Sequence, residues 1–157
     1  MALMRHKRTG IFLRTLAALA VLLLFAGCQD KVSNKPGALP SVARNFIRKQ
    51  LRESSFVYVR QGYDLLGRTN AEVLTKTLVW AQFNSHGDWI AMENWKGESL
   101  PEKALPPAAL EFVKTNYPAA KITQIRRDKI TGLIVLNDGT RLTSDPEFKS
   151  APMPERS

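Results

Sequence analysis

The strongest constraint on the fold is an internal repeat, in which residues from 39 onward match residues from 105 onward. The offset is 66 positions, and over the 22 positions from residue 39 five of the paired residues are identical, with similar apolar residues between them. The identical pairs are Leu39–Leu105, Pro40–Pro106, Ala43–Ala109, Phe46–Phe112 and Arg60–Arg126. Because a repeated sequence usually encodes a repeated structural unit, we expect two copies of one supersecondary motif.

Each copy begins with a predicted helix, at about residues 40–53 and 106–117. Pro40 and Pro106 stand in the first turn, where proline is tolerated, and Pro118 ends the second helix. Apolar residues recur at helical spacing and predict the core-facing stripe of each helix. The stripes comprise Leu39, Val42, Ala43, Phe46 and Ile47 in the first copy, and Leu105, Ala108, Ala109, Phe112 and Val113 in the second.

Strand signals follow each helix, because β-branched and aromatic residues cluster there. The predicted strands are 56–59, 78–83, 88–92, 122–125, 133–136 and 140–143. A turn around Gly87 joins two of them, and Asn137-Asp138-Gly139 joins two others. Asp-Gly between apolar strands is a strong hairpin signal. Each unit therefore consists of a helix, a strand and a hairpin.

The first copy contains about 11 extra residues between its first two strands, within a predicted long loop at 61–76. Long loops on rigid scaffolds often bind partners. Tyr63, Leu65 and Leu66 place apolar bulk in this segment and are candidate partner-binding residues. The alternative is a longer hairpin in which Tyr63 and Leu66 pack on the sheet.

Three tryptophans, Trp80, Trp89 and Trp95, lie in or beside the predicted sheet. Trp89 and Trp95 are an even number of residues apart, so a regular strand would place both on the face that carries Glu93. A glutamate indicates that this face is exposed, which makes Trp89 and Trp95 candidate partner-binding residues. The alternative is that Trp89 packs beneath a helix.

The N-terminus has the pattern of a secretion signal. Basic residues precede an uncharged apolar run at 15–29, which is shorter than the roughly 20 residues that a membrane span needs. The segment Leu24 to Cys28 resembles the lipobox of bacterial lipoproteins. The resemblance implies cleavage after Gly27, acylation of Cys28 and, because Gln29 follows, attachment to the periplasmic face of the outer membrane. The alternative is a plain signal peptide with an incidental cysteine.

Without residues 1–27 the chain has 19 basic and 14 acidic residues, a mildly basic balance. Such a balance suits weak attraction to anionic lipid or cell-wall polymer. We expect no nucleic-acid partner, because basic residues do not form a stripe with interleaved aromatics. Cys28 is the only cysteine, which excludes an internal disulfide and a cysteine-based metal cluster.

Catalytic chemistry is not expected from this sequence. Ser85-His86-Gly87-Asp88 contains the residue types of a hydrolytic triad, but triad members come together from separate segments rather than from one turn. His86 is also the only histidine after residue 27, and no spacing typical of zinc ligands is present. We therefore expect no catalytic residues, no metal site and no cofactor.

The second copy resembles the PepSY-like, β-lactamase-inhibitor-protein-like modules of bacterial envelope proteins. The resemblance rests on Leu105-Pro106, on Asn116-Tyr117-Pro118, on Trp89 after Gly87, and on the segment from Leu133 to Phe148. It extends over about residues 78–148, and more loosely over 39–77. It implies tandem α/β modules without catalysis, in proteins of a shape that binds or inhibits other proteins, often peptidases.

The predicted fold class is therefore α+β, with two tandem helix-plus-antiparallel-strand modules that form a shared antiparallel sheet with the helices on one face. The predicted segments are a signal peptide at 1–27, a lipidated tether at 28–38, modules at 39–97 and 98–149, and a flexible tail at 150–157. We expect a non-catalytic, lipid-anchored envelope protein that binds or inhibits a periplasmic protein or peptide. The alternative is a structural or assembly factor of the outer membrane or cell wall.

Overall fold

A computed structural model describes residues 31–63 and 69–154, and in them a nine-stranded antiparallel sheet follows the order of the sequence. The strands are β1 Lys31–Ser33, β2 Phe56–Tyr63, β3 Thr69–Thr75, β4 Val79–Phe83, β5 Trp89–Asn94, β6 Ile122–Arg127, β7 Gly132–Leu136, β8 Arg141–Ser144 and β9 Met153–Pro154. The helices are α1 Ser41–Phe46 and α2 Pro107–Asn116, with a π-helical turn Ile47–Leu51 after α1. Turns of 3-10 helix, Pro36–Ala38 and Glu102–Ala104, precede the two helices.

A continuous apolar row crosses the sheet from β2 to β8. Each of these strands contributes to the row a side chain with no solvent exposure, and the strand register places these side chains side by side. The row consists of Val59, Val73, Ala81, Met92, Ile125, Ile134 and Leu142. Buried residues of the helical segments, among them Ala43, Ile47, Ala109 and Val113, belong to the same core. The helices therefore cover the face of the sheet that carries this row.

The prediction of two tandem helix-plus-strand modules is wrong. The described chain forms one nine-stranded sheet, and its helical content is low, with α1 only six residues long. The halves differ because the extra residues of the first copy form an additional strand, β3, which pairs along β2 and β4. The sequence repeat thus survives in the helices and parts of the strands but does not divide the sheet into equivalent units.

Three predicted irregular segments contain strands instead. The expected long loop at 61–76 is largely the hairpin of β2 and β3, in which Gln61 pairs with Ala71. The expected tether at 28–38 includes β1, whose Val32 pairs with Arg60. The expected tail at 150–157 includes β9, which pairs with β8. The polar composition of these segments predicted irregular structure. They nevertheless form strands, because backbone hydrogen bonds to a neighbouring strand can hold a strand that has little apolar surface of its own.

The helical stripes are only partly as predicted. Leu39, Ala43 and Ile47 are buried, but Val42 is 51% exposed. Phe46 and Phe112 are half-buried and pack at the margin of the core rather than in its centre. No helix among the described residues is long and apolar enough to span a membrane.

Three hairpins of the sheet share one turn geometry. In each, a residue one or two positions before the returning strand has a positive φ, and its N–H donates to a carbonyl three residues earlier. Gly87 (φ 88°) and Gly139 (φ 86°) occupy this position in the two turns predicted from the sequence, which are confirmed. In the β3–β4 turn the position belongs to Leu78, at φ 65°. Left-handed backbone is costly for a residue with a Cβ atom. A leucine at this position therefore gives no sequence signal for a turn, and this hairpin was not predicted.

Two glycines allow close packing against the sheet. A Cβ atom on Gly87 would lie 2.8 Å from Val42 Cβ, so the β4–β5 turn rests directly on α1. A Cβ atom on Gly132 would lie 2.5 Å from the ring of Phe148, so this ring covers the first residue of β7. Phe148 is 1% exposed and is one of the largest fully buried side chains.

Asp145 holds the turn that carries Phe148. Its carboxylate accepts hydrogen bonds from the backbone N–H groups of Glu147, Lys149 and Ser150. The Ser150 hydroxyl and these N–H groups hold the pKa of the Asp145 carboxyl well below its usual value. The turn therefore contributes stability while Asp145 is ionised, and this contribution is lost as the pH falls through its lowered pKa.

Candidate binding surface on the open face of the sheet

The face of the sheet turned away from the helices carries two rows of mostly polar and aromatic side chains, and we call it the open face. The register of β2 to β8 defines both rows. One row contains Arg60, Glu72, Gln82, Ala91, Arg126, Leu133 and Thr143. The other contains Tyr58, Leu74, Trp80, Glu93, Gln124, Val135 and Arg141. A strand that buries alternate residues must present the others on the opposite side.

Glu72 organises the end of the open face nearest β2. Its Oε1 atom pairs with the guanidinium of Arg60 on the neighbouring strand. Its Oε2 atom accepts a hydrogen bond of 3.2 Å from the indole Nε1 of Trp80 on the other neighbouring strand. One carboxylate thus fixes a cation and an aromatic ring across three strands, and charge-assisted hydrogen bonds of this kind are among the stronger ones.

Tyr58 completes this cluster. Partial burial raises the pKa of its phenol, and the nearby Glu72 carboxylate acts in the same direction. Both effects keep the hydroxyl protonated, so Tyr58 remains a neutral hydrogen-bonding group. The cluster of Tyr58, Arg60, Glu72 and Trp80 is therefore a fixed aromatic and polar surface, with its carboxylate already engaged by two donors.

The centre of the open face has a small residue beside a cation. Ala91 is 1% exposed and pairs with Arg126 on β6 and with Gln82 on β4, so two longer side chains flank it. Arg126 is exposed, and its side chain forms no hydrogen bond or ion pair with the described residues. A guanidinium in this position can bind a carboxylate or a backbone carbonyl of a partner.

Trp95 lies at the end of this surface, just after β5. The backbone N–H of Trp95 donates to the backbone carbonyl of Leu78 at 3.0 Å, which continues the β4–β5 pairing by one step. Trp80 pairs with Glu93, and strand alternation continued to Trp95 makes Trp95 the diagonal neighbour of Trp80 on the same face. Trp95 is 51% exposed. The structure thus places this predicted binding residue where a partner could reach it.

Trp89 lies on the opposite side of the sheet, where its ring contacts Phe148 and Arg127. The β4–β5 pairing contains an irregularity at which Gln82 pairs with Ala91 but Phe83 pairs with Trp89. One extra residue reverses the side to which a strand residue points. The ring of Trp89 stacks on Phe148 with centroids 6.2 Å apart, and the guanidinium carbon of Arg127 lies 4.3 Å from the ring centroid. Trp89 is therefore a packing residue.

For the remaining predicted site residues the structure describes at most the backbone. The backbone of Tyr63 ends β2, paired with Thr69, while Leu65 and Leu66 lie outside the described residues. Gly27 and Cys28 also lie outside them. His86 is exposed in the β4–β5 turn, and no group of three or more His, Cys, Asp or Glu side chains within 31–63 and 69–154 could hold a metal ion.

Sequence reasoning missed the cluster around Glu72 because it treated residues 61–76 as a loop. A signal was nevertheless present. Arg60 follows the apolar Val59, Glu72 precedes the apolar Val73, and the charges are opposite. In a hairpin that buries both valines, the two charged residues must be cross-strand neighbours on the outer face.

Comparison with known proteins agrees with this architecture. A family model described as "Putative beta-lactamase-inhibitor-like, PepSY-like" matches residues 69–150, just over half of the chain. A "putative periplasmic protein of unknown function" from Bacteroides vulgatus has a similar solved structure, with 26% identity over 82% of this chain and 100% of its own, and a TM-score of 0.71. A "putative calcium-regulated periplasmic protein" from Bacteroides thetaiotaomicron is 27% identical over 81% of this chain and 97% of its own, with a TM-score of 0.69.

A second Bacteroides vulgatus protein, also described as periplasmic, shares the fold, with 24% identity and a TM-score of 0.70 over 82% of this chain and 98% of its own. No curated protein sequence matches the chain. The family match covers the segment from β3 to the turn after Phe148, which includes the three positive-φ turns and all of the buried row except Val59. The match confirms the resemblance noted from the sequence: this chain belongs to the PepSY-like family.

Proposed function

We propose that this protein is a non-catalytic component of the bacterial envelope that binds a periplasmic protein or peptide across the open face of its sheet. The observation that carries the proposal is the arrangement of Trp80, Trp95 and Arg126 on one face, opposite the helices. Tryptophan and arginine are the residue types that most often dominate the energy of protein interfaces. The periplasmic description of the Bacteroides relatives supports the location.

The cluster around Glu72 supports the proposal, because its side chains are already ordered in the unbound protein. The ion pair to Arg60 and the bond from Trp80 hold both side chains in place before a partner arrives. Side chains that are already ordered lose less conformational entropy on association, which favours affinity. Inhibition of a peptidase is one form that such binding could take, and the outer membrane is the proposed site of action.

We expect the double substitution Trp95→Ala and Arg126→Ala to weaken partner binding by about 2 kcal/mol or more, roughly 30-fold, because both residues are of hot-spot types on the open face. The test uses a soluble form beginning at Gln29 to recover partners from envelope extract, followed by titration of the recovered protein. This form is suitable because the first Bacteroides vulgatus relative folds with a chain that matches 82% of this one over its whole length.

A matched control changes the helix side of the molecule. Val42, which is 51% exposed like Trp95, and the exposed Lys103 are both replaced by alanine. This control should bind the partner as the unmodified protein does. Equal binding by the open-face variant and the unmodified protein would show that recognition lies elsewhere, whereas equal losses in both variants would indicate a general effect on the fold.

We also propose that the protein is held in the membrane by acylation of Cys28 after cleavage at Gly27. The Cys28→Ala variant should lose acyl labelling and appear in the soluble fraction, because several acyl chains are needed for stable anchoring. Its sheet should remain folded, since the first strand begins at Lys31. Radiolabelled fatty acid and membrane fractionation after a high-salt wash measure both effects. A variant that stays with the washed membranes would contradict the proposed anchor.

A further inference from the structure

The net positive charge of the chain beyond the predicted leader is confined to its first 22 described residues. Residues 31–52 contain six basic residues and no acidic residue. Residues 53–157 contain thirteen basic and thirteen acidic residues, which cancel. The mild basicity is therefore not spread over the protein but belongs to the segment that forms β1, the first 3-10 turn, α1 and the π-helical turn.

The structure turns all six of these basic residues to solvent, and we call them the basic face. It comprises Lys31, Lys35, Arg44, Arg48, Lys49 and Arg52. The inner side of the same segment is anchored in the core by Ala43, Ile47 and Leu51. Among the described residues no carboxylate pairs with the basic face, and the only side-chain bond of these cations is from Arg48 to the Oδ1 of Asn45, at 3.1 Å.

The second helix provides an internal contrast. By the sequence repeat, α2 occupies the place in the second copy that α1 has in the first, but it carries both Glu111 and Lys114. Lys114 also pairs with Glu102 at 2.8 Å. Helix packing against this sheet therefore does not require cations on the outer side. The uncompensated positive charge of α1 and its π-helical turn therefore has no counterpart on α2.

We infer that the basic face docks on the surface of an anionic lipid bilayer. Its cations lie on the outside of one surface helix and the adjoining edge strand, without the neutralising carboxylates found elsewhere on the chain. Val42, 51% exposed on α1, adds an apolar side chain among them. Cations joined by exposed apolar residues on a helix suit the interface between lipid headgroups and acyl chains. This contact is separate from Cys28 and from the open face.

The test measures sedimentation of the soluble form beginning at Gln29 with vesicles of phosphatidylglycerol and phosphatidylcholine, or of phosphatidylcholine alone. Each basic residue near an anionic surface contributes about fivefold to partitioning, so replacing Arg44, Arg48, Lys49 and Arg52 with glutamine should reduce binding to the anionic vesicles by roughly 600-fold. The unmodified protein should not bind the neutral vesicles. Its binding to the anionic vesicles should be lost at high salt, because salt screens the electrostatic attraction.

A control of equal charge separates position from total charge. Glutamine replaces four exposed lysines outside the basic face, Lys96, Lys121, Lys129 and Lys149, whose side chains make no ion pair with the described residues. This control should lose less than about threefold in vesicle binding. Equal losses in the two variants would overturn the inference, as would binding to neutral vesicles. Binding to soluble polyphosphate but not to anionic vesicles would assign the basic face to a polymer instead and would also overturn it.

Discussion

Replacing Phe148 with alanine is expected to lower the free energy of unfolding by about 3 to 5 kcal/mol, the usual cost of emptying the site of a buried phenylalanine. The ring is 1% exposed, stacks on Trp89 and lies over the backbone of Gly132. Its removal leaves a cavity between the turn after β8 and the start of β7. Urea unfolding monitored by tryptophan fluorescence measures the change. Val57→Ala, at an exposed strand position, is the control and should stay within about 0.5 kcal/mol.

The contact with Gly132 can be tested separately. Gly132→Ala should cost about 1 to 3 kcal/mol, because the added methyl group meets the Phe148 ring and the surroundings must shift. In the Phe148→Ala background the ring is gone, so the same substitution should cost less, although the carbonyl of Asp145 remains 2.7 Å from the new atom. Additive effects of the two substitutions would contradict the contact, as would a loss of under about 1 kcal/mol for Phe148→Ala.

Gly87→Ala is expected to destabilise the protein by about 2 to 5 kcal/mol, since two costs combine. A residue with a Cβ atom pays about 1 to 2 kcal/mol in left-handed backbone, and Gly87 has a φ of 88°. The new atom would also lie 2.8 Å from Val42 Cβ and 3.0 Å from the backbone nitrogen of Ala43. Overpacking of this kind costs about 1 to 3 kcal/mol. Thermal and urea unfolding measure the total.

Gly139→Ala isolates the backbone part of this effect. Gly139 has a φ of 86° in a turn of the same geometry, but nothing lies within 4 Å of the position where its Cβ atom would be. This control should therefore lose only the conformational contribution, about 1 to 2 kcal/mol. The difference between the two glycines reports the contact of the β4–β5 turn with α1. Equal decreases in the free energy of unfolding for the two variants would mean that the β4–β5 turn does not pack against α1.

The sequence was sufficient where local chemistry determines structure. Gly87 and Gly139 marked their turns because left-handed backbone favours glycine. The same logic failed at Leu78, which adopts the same conformation without a glycine. The strand that precedes this turn, β3, was missed, and with it the cross-strand position of Glu72 and the continuity of the nine-stranded sheet.

The prediction that Trp89 and Trp95 share one face of the sheet failed for a different reason. Strand alternation placed Trp89 with Trp95, and only the irregular pairing of Gln82 and Phe83 with β5 separates them. A bulge has no reliable sequence signature here, because it depends on how two strands meet rather than on either strand alone. The edge strands β1 and β9 were also missed, since they are only three and two residues long and are held by pairing with a neighbouring strand.

The order of the strands has a consequence for how the chain reaches its structure. In the described sheet each strand pairs with the strand that precedes or follows it in the sequence. Such a topology has low contact order, and low contact order favours rapid folding because only short loops need to close. The exceptions are the closures of β1 on β2 and of β5 on β6, each of which spans a helix. We expect these two closures to limit the folding rate. The hairpins on either side should form earlier and provide the strand edges on which the remaining strands pair.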